Sequence, residues 1–320
     1  MLRGLVFFLV IVALIGGPAA SAAAQDVDTA FSDVKLRELG YPEVRIHVGP
    51  DGVDAPATLE AGFYLVSLSS EGDYAGYMDI VQPPPGLDQQ TATELALAAG
   101  RDDLAQPDWT YVGGTNTFEK GVPVSFAVYL KPGEYSIAAS YYLEDSEEIM
   151  TLVPLTVTGS ATPVASGVAS GVATPETGSP VASPVAANAP AADVTLEMTD
   201  DFKYIVSPGM VPAGPQIWEI TNTGMHHSHH VVMFGIPDGV TADDIIGEFS
   251  SLFAGTPPAE SSLSGSLMPA GYAALQSGGQ TTYNEFDLTP GTYAVVCFII
   301  DLGTGRPHLM DGMVTTFTVE

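Results

Sequence analysis

Seven short apolar runs, separated by turn residues, mark the C-terminal part of the chain: Val194–Met198, Phe202–Val206, Gln216–Thr221, Val231–Ile236, Thr281–Leu288, Gly291–Ile299 and Val314–Val319. They are rich in Val, Ile, Thr, Tyr and Phe, and Pro, Gly, Asn and Asp stand between them, which predicts β-strands stacked as a sandwich. One helix interrupts them. Thr241 is placed to cap its start with Asp244 three residues on, and Ile245, Ile246, Phe249 and Phe253 form its apolar face. The part before residue 158 has the same texture, with Thr91 and Glu94 starting its helix.

The two parts resemble each other in detail. Ala61-Gly62 matches Ala213-Gly214, and Gly72 matches Gly224, at a constant offset of 152. Lys131-Pro132-Gly133-Glu134-Tyr135 matches Thr289-Pro290-Gly291-Thr292-Tyr293, and both blocks end in a Thr-Val strand. A repeat this long indicates a duplicated domain rather than a solenoid. Between the copies, residues 159–192 consist mainly of Ala, Pro, Val, Ser, Thr and Gly, with one charged residue and no aromatic one. Such a segment buries too little apolar surface to offset its chain entropy, so a disordered linker is expected between blocks 25–158 and 193–320.

At the N-terminus, Arg3 precedes an apolar stretch from Leu5 to Ile15, and Ala22-Ala23-Ala24 follows before Gln25. This is the pattern of a secretory signal cleaved after Ala24, which predicts a secreted or extracytoplasmic chain with no membrane span once mature. The net charge is −29, a field that repels nucleic acid and anionic lipid. There is no G-x-S-x-G, HExxH or phosphate-cradling glycine loop, and no two carboxylates are paired by the sequence. The expectation is therefore that the chain is not an enzyme.

The chemistry gathers in two segments. One is Asn222-Thr223-Gly224-Met225-His226-His227-Ser228-His229-His230; the other runs from Cys297 through His308 and Met310 to Met313. Five of the six histidines and the single cysteine lie here, so the thiol has no internal disulfide partner. Two imidazoles, a thiolate and a weak thioether are the donor types of a type 1 copper site. His229, Cys297, His308 and Met313 are the candidate ligands, and His227, His230 and Met310 compete for the same places. The histidines of 226–230 also offer material for a second metal site.

These residues resemble the cupredoxins. In that family a turn of the Asn-x-Gly kind delivers the first His, a Pro-Gly-x-Tyr strand delivers the Cys, and the next loop supplies the second His and the Met. The resemblance covers about residues 193–320 and implies an all-β fold of two Greek-key β-sandwiches, the first lacking the ligands. At the constant offset His229 corresponds to Tyr77, and counted from the Pro-Gly-x-Tyr strand Cys297 corresponds to Ala139. The resemblance further implies one type 1 copper and electron transfer to a redox partner protein, with Phe298, Ile299, Ile300 and Leu309 as an apolar docking patch. Alternatives are a copper chaperone or storage module, for which His308-x-Met310 is a suitable pair, and a metal-free cell-surface binding protein. One departure stands out: ten residues separate Cys297 from His308, longer than in the small electron carriers.

Overall fold

Alternation decides which side of each strand is buried. In β10 (Val194–Thr199), Val194, Leu196 and Met198 are buried while Thr195 and Glu197 face solvent. The computed structural model describes residues 34–49, 51–70, 76–101, 104–106, 108–117, 122–142, 148–159, 189–253 and 263–320. The signal-like leader, Gly72 and most of the linker lie outside the described residues.

The N-terminal half contributes α1 (Val34–Glu38), β1 (Glu43–Gly49), β2 (Gly52–Asp54), β3 (Thr58–Glu60), β4 (Gly62–Ser70), β5 (Tyr77–Gln82), α2 (Gln89–Arg101), β6 (Thr110–Asn116), β7 (Val124–Leu130), β8 (Gly133–Tyr142) and β9 (Glu148–Thr158). The C-terminal half adds β11 (Lys203–Ser207), β12 (Met210–Val211), β13 (Gly214–Asn222), β14 (His229–Ile236), α3 (Ala242–Phe253), β15 (Met268–Gln276), β16 (Thr281–Leu288), β17 (Gly291–Val296), β18 (Ile300–Asp301), β19 (Arg306–Pro307) and β20 (Val314–Val319). The N-terminal layers run β2-β1-β4-β7 and β3-β9-β8-β5-β6; the C-terminal layers run β11-β10-β13-β16 and β12-β20-β17-β14-β15. Strand for strand these are the same sandwich, which bears out the duplication.

The copies do not merely adjoin. β7 pairs antiparallel with β16, Tyr283 opposite Ala127, so one layer of each copy joins into a single eight-stranded sheet. The short helix α1 covers this seam. Leu36 is fully buried among Phe63, Leu65, Ala127, Ile217 and Tyr283, and its N–H donates to Glu285 Oε2 at 2.9 Å. On the other layer, Tyr111 of β6 and Ser277, just past β15, exchange hydrogen bonds of 2.8 and 3.0 Å.

Local signals held in one copy and shifted in the other. Thr241 Oγ1 accepts the Asp244 N–H at 3.2 Å while Asp244 Oδ2 accepts the Thr241 N–H at 2.9 Å, closing the capping box at the head of α3. In the N-terminal copy the cap is Asp88 rather than Thr91: Asp88 Oδ1 accepts the Thr91 N–H at 3.0 Å. Strand β17 stops at Val296, short of Ile299, and β15 was not among the predicted strands.

Because α1 and the β7–β16 pairing tie both copies into one sheet, Leu36→Ala is expected to cost about 2–5 kcal/mol and to lower one common unfolding transition. Differential scanning calorimetry checks this; two separated transitions would show that the copies unfold independently.

Candidate metal centre

Strand β14 is buried on both sides, since its inner face lines the sandwich core and its outer face lies under α3. His229, Val231 and Met233 point inward; His230, Val232 and Phe234 point the other way. Neighbouring β17 carries the chain to Cys297, with Val232 opposite Val296. The ten-residue excursion that follows is a closed hairpin of β18 and β19, Ile300 pairing with Pro307 and Asp301 with Arg306. His308 then sits at the head of a 3₁₀ turn, His308–Asp311, which Gly312 ends at φ 101°. That left-handed conformation suits a residue without Cβ.

Backbone hydrogen bonds lock these pieces together. His308 N–H donates to Ile299 O at 2.8 Å, Leu309 N–H to Cys297 O at 2.9 Å, Met313 N–H to His308 O at 3.0 Å, and Cys297 N–H to Met313 O at 3.1 Å. Upstream, the Asp200 carboxylate accepts the N–H groups of Met225, His226 and His227 at 2.8, 2.9 and 3.3 Å. Asn222 Nδ2 donates to His227 O and Gln276 O, both at 2.8 Å. The turn that presents His229 is thus held from both sides.

Three donors converge. His229 Nδ1 lies 3.0 Å from His308 Nδ1, and Cys297 Sγ lies 3.5 Å from the same nitrogen. His229, Cys297 and His308 are 0, 0 and 2% exposed. Nitrogen and sulfur atoms bonded to one divalent cation at about 2.0 and 2.3 Å stand apart by separations of this size, so the trio fits a metal. His229 Nε2 is buried without a hydrogen-bond partner, leaving Nδ1 as the ring's polar contact. Met313 is fully buried in the same core cluster as Cys297.

The competing residues are placed elsewhere. His230 Nε2 accepts the Phe298 N–H at 2.9 Å, so its ring braces the chain beside Cys297 from the α3 side. Met310 accepts a hydrogen bond from Ser250 Oγ at 3.3 Å and packs under α3. His227 faces Asp301, Nδ1 to Oδ2 at 3.5 Å, and forms with Asp301 and His308 a second group of donors within 4.8 Å of one another.

Two residues at the site had gone unnoticed in the sequence. Phe202 has a φ of 57°, unusual for a bulky side chain, and its ring lies 4.6 Å from that of His308, 4.8 Å from His227 and 6.2 Å from His229. The Tyr204 hydroxyl donates to His230 O and interacts with the Cys297 sulfur. No local pattern marks either one; only the β10–β11 hairpin brings them over the site.

Two expectations are corrected by geometry. Phe298, Ile299 and Leu309 are 0, 5 and 0% exposed and belong to the cores, so they form no docking patch. In the N-terminal copy, Met78 pairs with Ala139 and Tyr77 with Ser140, so Tyr77 takes the place of His230 and Gly76 that of His229. A Cβ at Gly76 would stand 2.7 Å from Ser70 Cβ, and that position has no room for an imidazole.

Strand order and donor set make the C-terminal half a cupredoxin-type sandwich and the N-terminal half a second copy of that fold. No family model and no curated protein matches the chain. Among solved structures it is similar to the dithionite-reduced auracyanin of Roseiflexus castenholzii, with 19% identity over 39% of this chain and 94% of that one and a TM-score of 0.26. It is also similar to a multicopper oxidase, with 11% identity over 87% of this chain and 88% of that one and a TM-score of 0.21. The copper-containing nitrite reductase of Thermus scotoductus matches at 10% identity over 87% of this chain and 60% of that one, with a TM-score of 0.21. The expectation that the chain is not an enzyme is therefore corrected: the matches spanning both copies include an oxidase and a reductase.

Burial, then the nearby His308 and His227, pushes the pKa of His229 down to about 3; burial, then His227, takes His308 to about 4; burial, then His308, takes His230 to about 3. Unfolded imidazoles titrate near 6.5, so between about pH 6.5 and 4 the unfolded chain binds protons that the native chain does not. Metal-free protein should lose stability as pH falls through that window, by up to about 1.4 kcal/mol per pH unit for each ring. Urea midpoints at pH 7.5 and 4.5 check this, and a flat profile contradicts it.

Proposed function

We propose that the chain is an extracytoplasmic copper protein that transfers single electrons through one type 1 site, which His229, Cys297 and His308 would hold, with Met313 as the candidate thioether donor. In this reading residues 1–24 are a removed signal, 25–158 a scaffold copy, 159–192 a linker and 193–320 the copper domain. The observation that carries it is the buried convergence of two imidazoles and the one thiol in the chain. Copper supplies reversible one-electron chemistry between Cu(I) and Cu(II). The protein's part is to hold the imidazoles neutral, to keep water out with Phe202 and the surrounding core, and to fix the donors so that little moves when the charge changes. Among the described residues no helix is long and apolar enough to cross a membrane. The acidic surface favours a basic redox partner.

The chaperone reading has less support. It relies on His308-x-Met310 as a soft pair, and the Met310 thioether is engaged by Ser250 under α3.

A thiolate bond to Cu(II) gives intense visible colour, so apoprotein titrated with Cu(II) should turn blue or green at one equivalent. Cys297→Ser should abolish the band and redox cycling while circular dichroism still reports a folded β-protein. Met313→Leu should stay coloured with a higher reduction potential, because the weak axial donor is replaced by apolar bulk. The reverse ranking, with Met313→Leu losing copper and Cys297→Ser retaining it, would replace this reading with a thioether-rich Cu(I) site.

A further inference from the structure

The second donor group is left over once the buried trio is assigned. His227, Asp301 and His308 each offer one ligand atom within 4.8 Å of the others. His229 and His308 are almost completely buried, whereas the His227 side chain is 30% exposed and that of Asp301 11% exposed. An ion arriving from solvent therefore meets His227 and Asp301 before it meets the trio. The Phe202 ring packs against all three imidazoles, 4.6 Å from that of His308, 4.8 Å from that of His227 and 6.2 Å from that of His229. The strain of its backbone is of the kind stored at sites where one side-chain placement is required.

Both outer donors are held in place by the fold. Asp200 fixes the backbone amide of His227 at 3.3 Å, and Asn222 fixes its carbonyl at 2.8 Å. Asp301 flanks the turn of the β18–β19 hairpin, where its Oδ1 accepts the Thr304 N–H at 2.7 Å and leaves Oδ2 turned to His227. The hairpin that lengthens the Cys297–His308 connection thus brings a carboxylate beside His308. A nitrogen and oxygen set of this kind suits Cu(II) before the thiolate engages.

We propose that His227, Asp301 and His308 form a loading site that receives Cu(II) from solvent and passes it to His229 and Cys297, with His308 common to both sets. The transfer is ligand exchange without change of oxidation state. His227 nitrogen and the Asp301 oxygen are released, His229 nitrogen and Cys297 sulfur are gained, and the thiol proton leaves to water. This proposal rests on the assignment of the inner trio as the copper site.

The test uses the full apoprotein mixed with Cu(II) alone in a stopped-flow spectrometer. Asp301→Asn and His227→Gln are each expected to slow the appearance of the visible band at least ten-fold. Rates within two-fold of the unaltered chain would overturn the proposal. Asparagine keeps an acceptor for the Thr304 N–H, so the hairpin is preserved, and circular dichroism checks it. A second measurement does not depend on colour: in a Cys297→Ser chain, adding Asp301→Asn is expected to weaken Cu(II) affinity at least ten-fold, and an unchanged affinity would also overturn the loading site. Failure of the inner assignment looks different, since the unaltered chain would then bind Cu(II) and stay colourless while the second measurement still decides the outer set.

Discussion

The return of the chain to the end of β17 is the constraint on which the site depends. Cys297, His308 and Met313 are brought together by backbone hydrogen bonds: Leu309 to Cys297, Met313 to His308 and Cys297 to Met313. Each contributes only about 1 kcal/mol net, yet together they fix the main chain from which the three side chains spring. The long connection between Cys297 and His308 changes little because β18 and β19 pair across it and His308 N–H meets Ile299 O. Ten residues leave and come back to nearly the same point. A loop's effect on its ends is set by how it closes, not by how many residues it contains.

Holding three histidines in the interior is costly, and the costs fall where the fold can absorb them. His230 is satisfied through its acceptance of the Phe298 N–H; His229 and His308 face each other and the sulfur, with His229 Nε2 left unpartnered. Burial keeps these rings uncharged, the form in which an imidazole nitrogen offers a lone pair. The same comparison explains the copy without donors: at Gly76 the space for a ring is taken by Ser70 and Thr117, so the N-terminal sandwich is packed tight where its twin carries the candidate ligands.

Much of this was legible in the chain, because its signals are local or periodic. Thr241 and Asp244 make the capping box expected of them, Pro290-Gly291-Thr292-Tyr293 leads into the strand before Cys297, and the repeat appears as identical strand orders. What stayed hidden depends on contacts between segments distant in sequence. The choice between His229 and His230 is made by the alternation of β14, and His227 lies before that strand, in the turn. The offset between the copies is 152 at Gly62 and Gly214 but 153 at Asp79 and Val232, so a constant offset places Tyr77 one residue out of register. The apolar Phe298 and Leu309 looked like a surface patch because nothing nearby in sequence reveals that α3 lies over them. Phe202 sits in a turn whose text is ordinary, and its left-handed backbone is visible only in three dimensions.

The pairing of β7 with β16 means that neither sandwich is a finished object by itself. Each, if separated, would present a bare strand edge with its amide and carbonyl groups unmatched, the kind of surface that recruits other chains into extended sheets. Tethering two copies on one polypeptide raises the local concentration of each edge for the other far above that of any stranger. Duplication in this protein thus has a structural consequence of its own: β7 of the copy without donors at Gly76 and Ala139 covers the β16 edge of the other copy, and is covered by it in return.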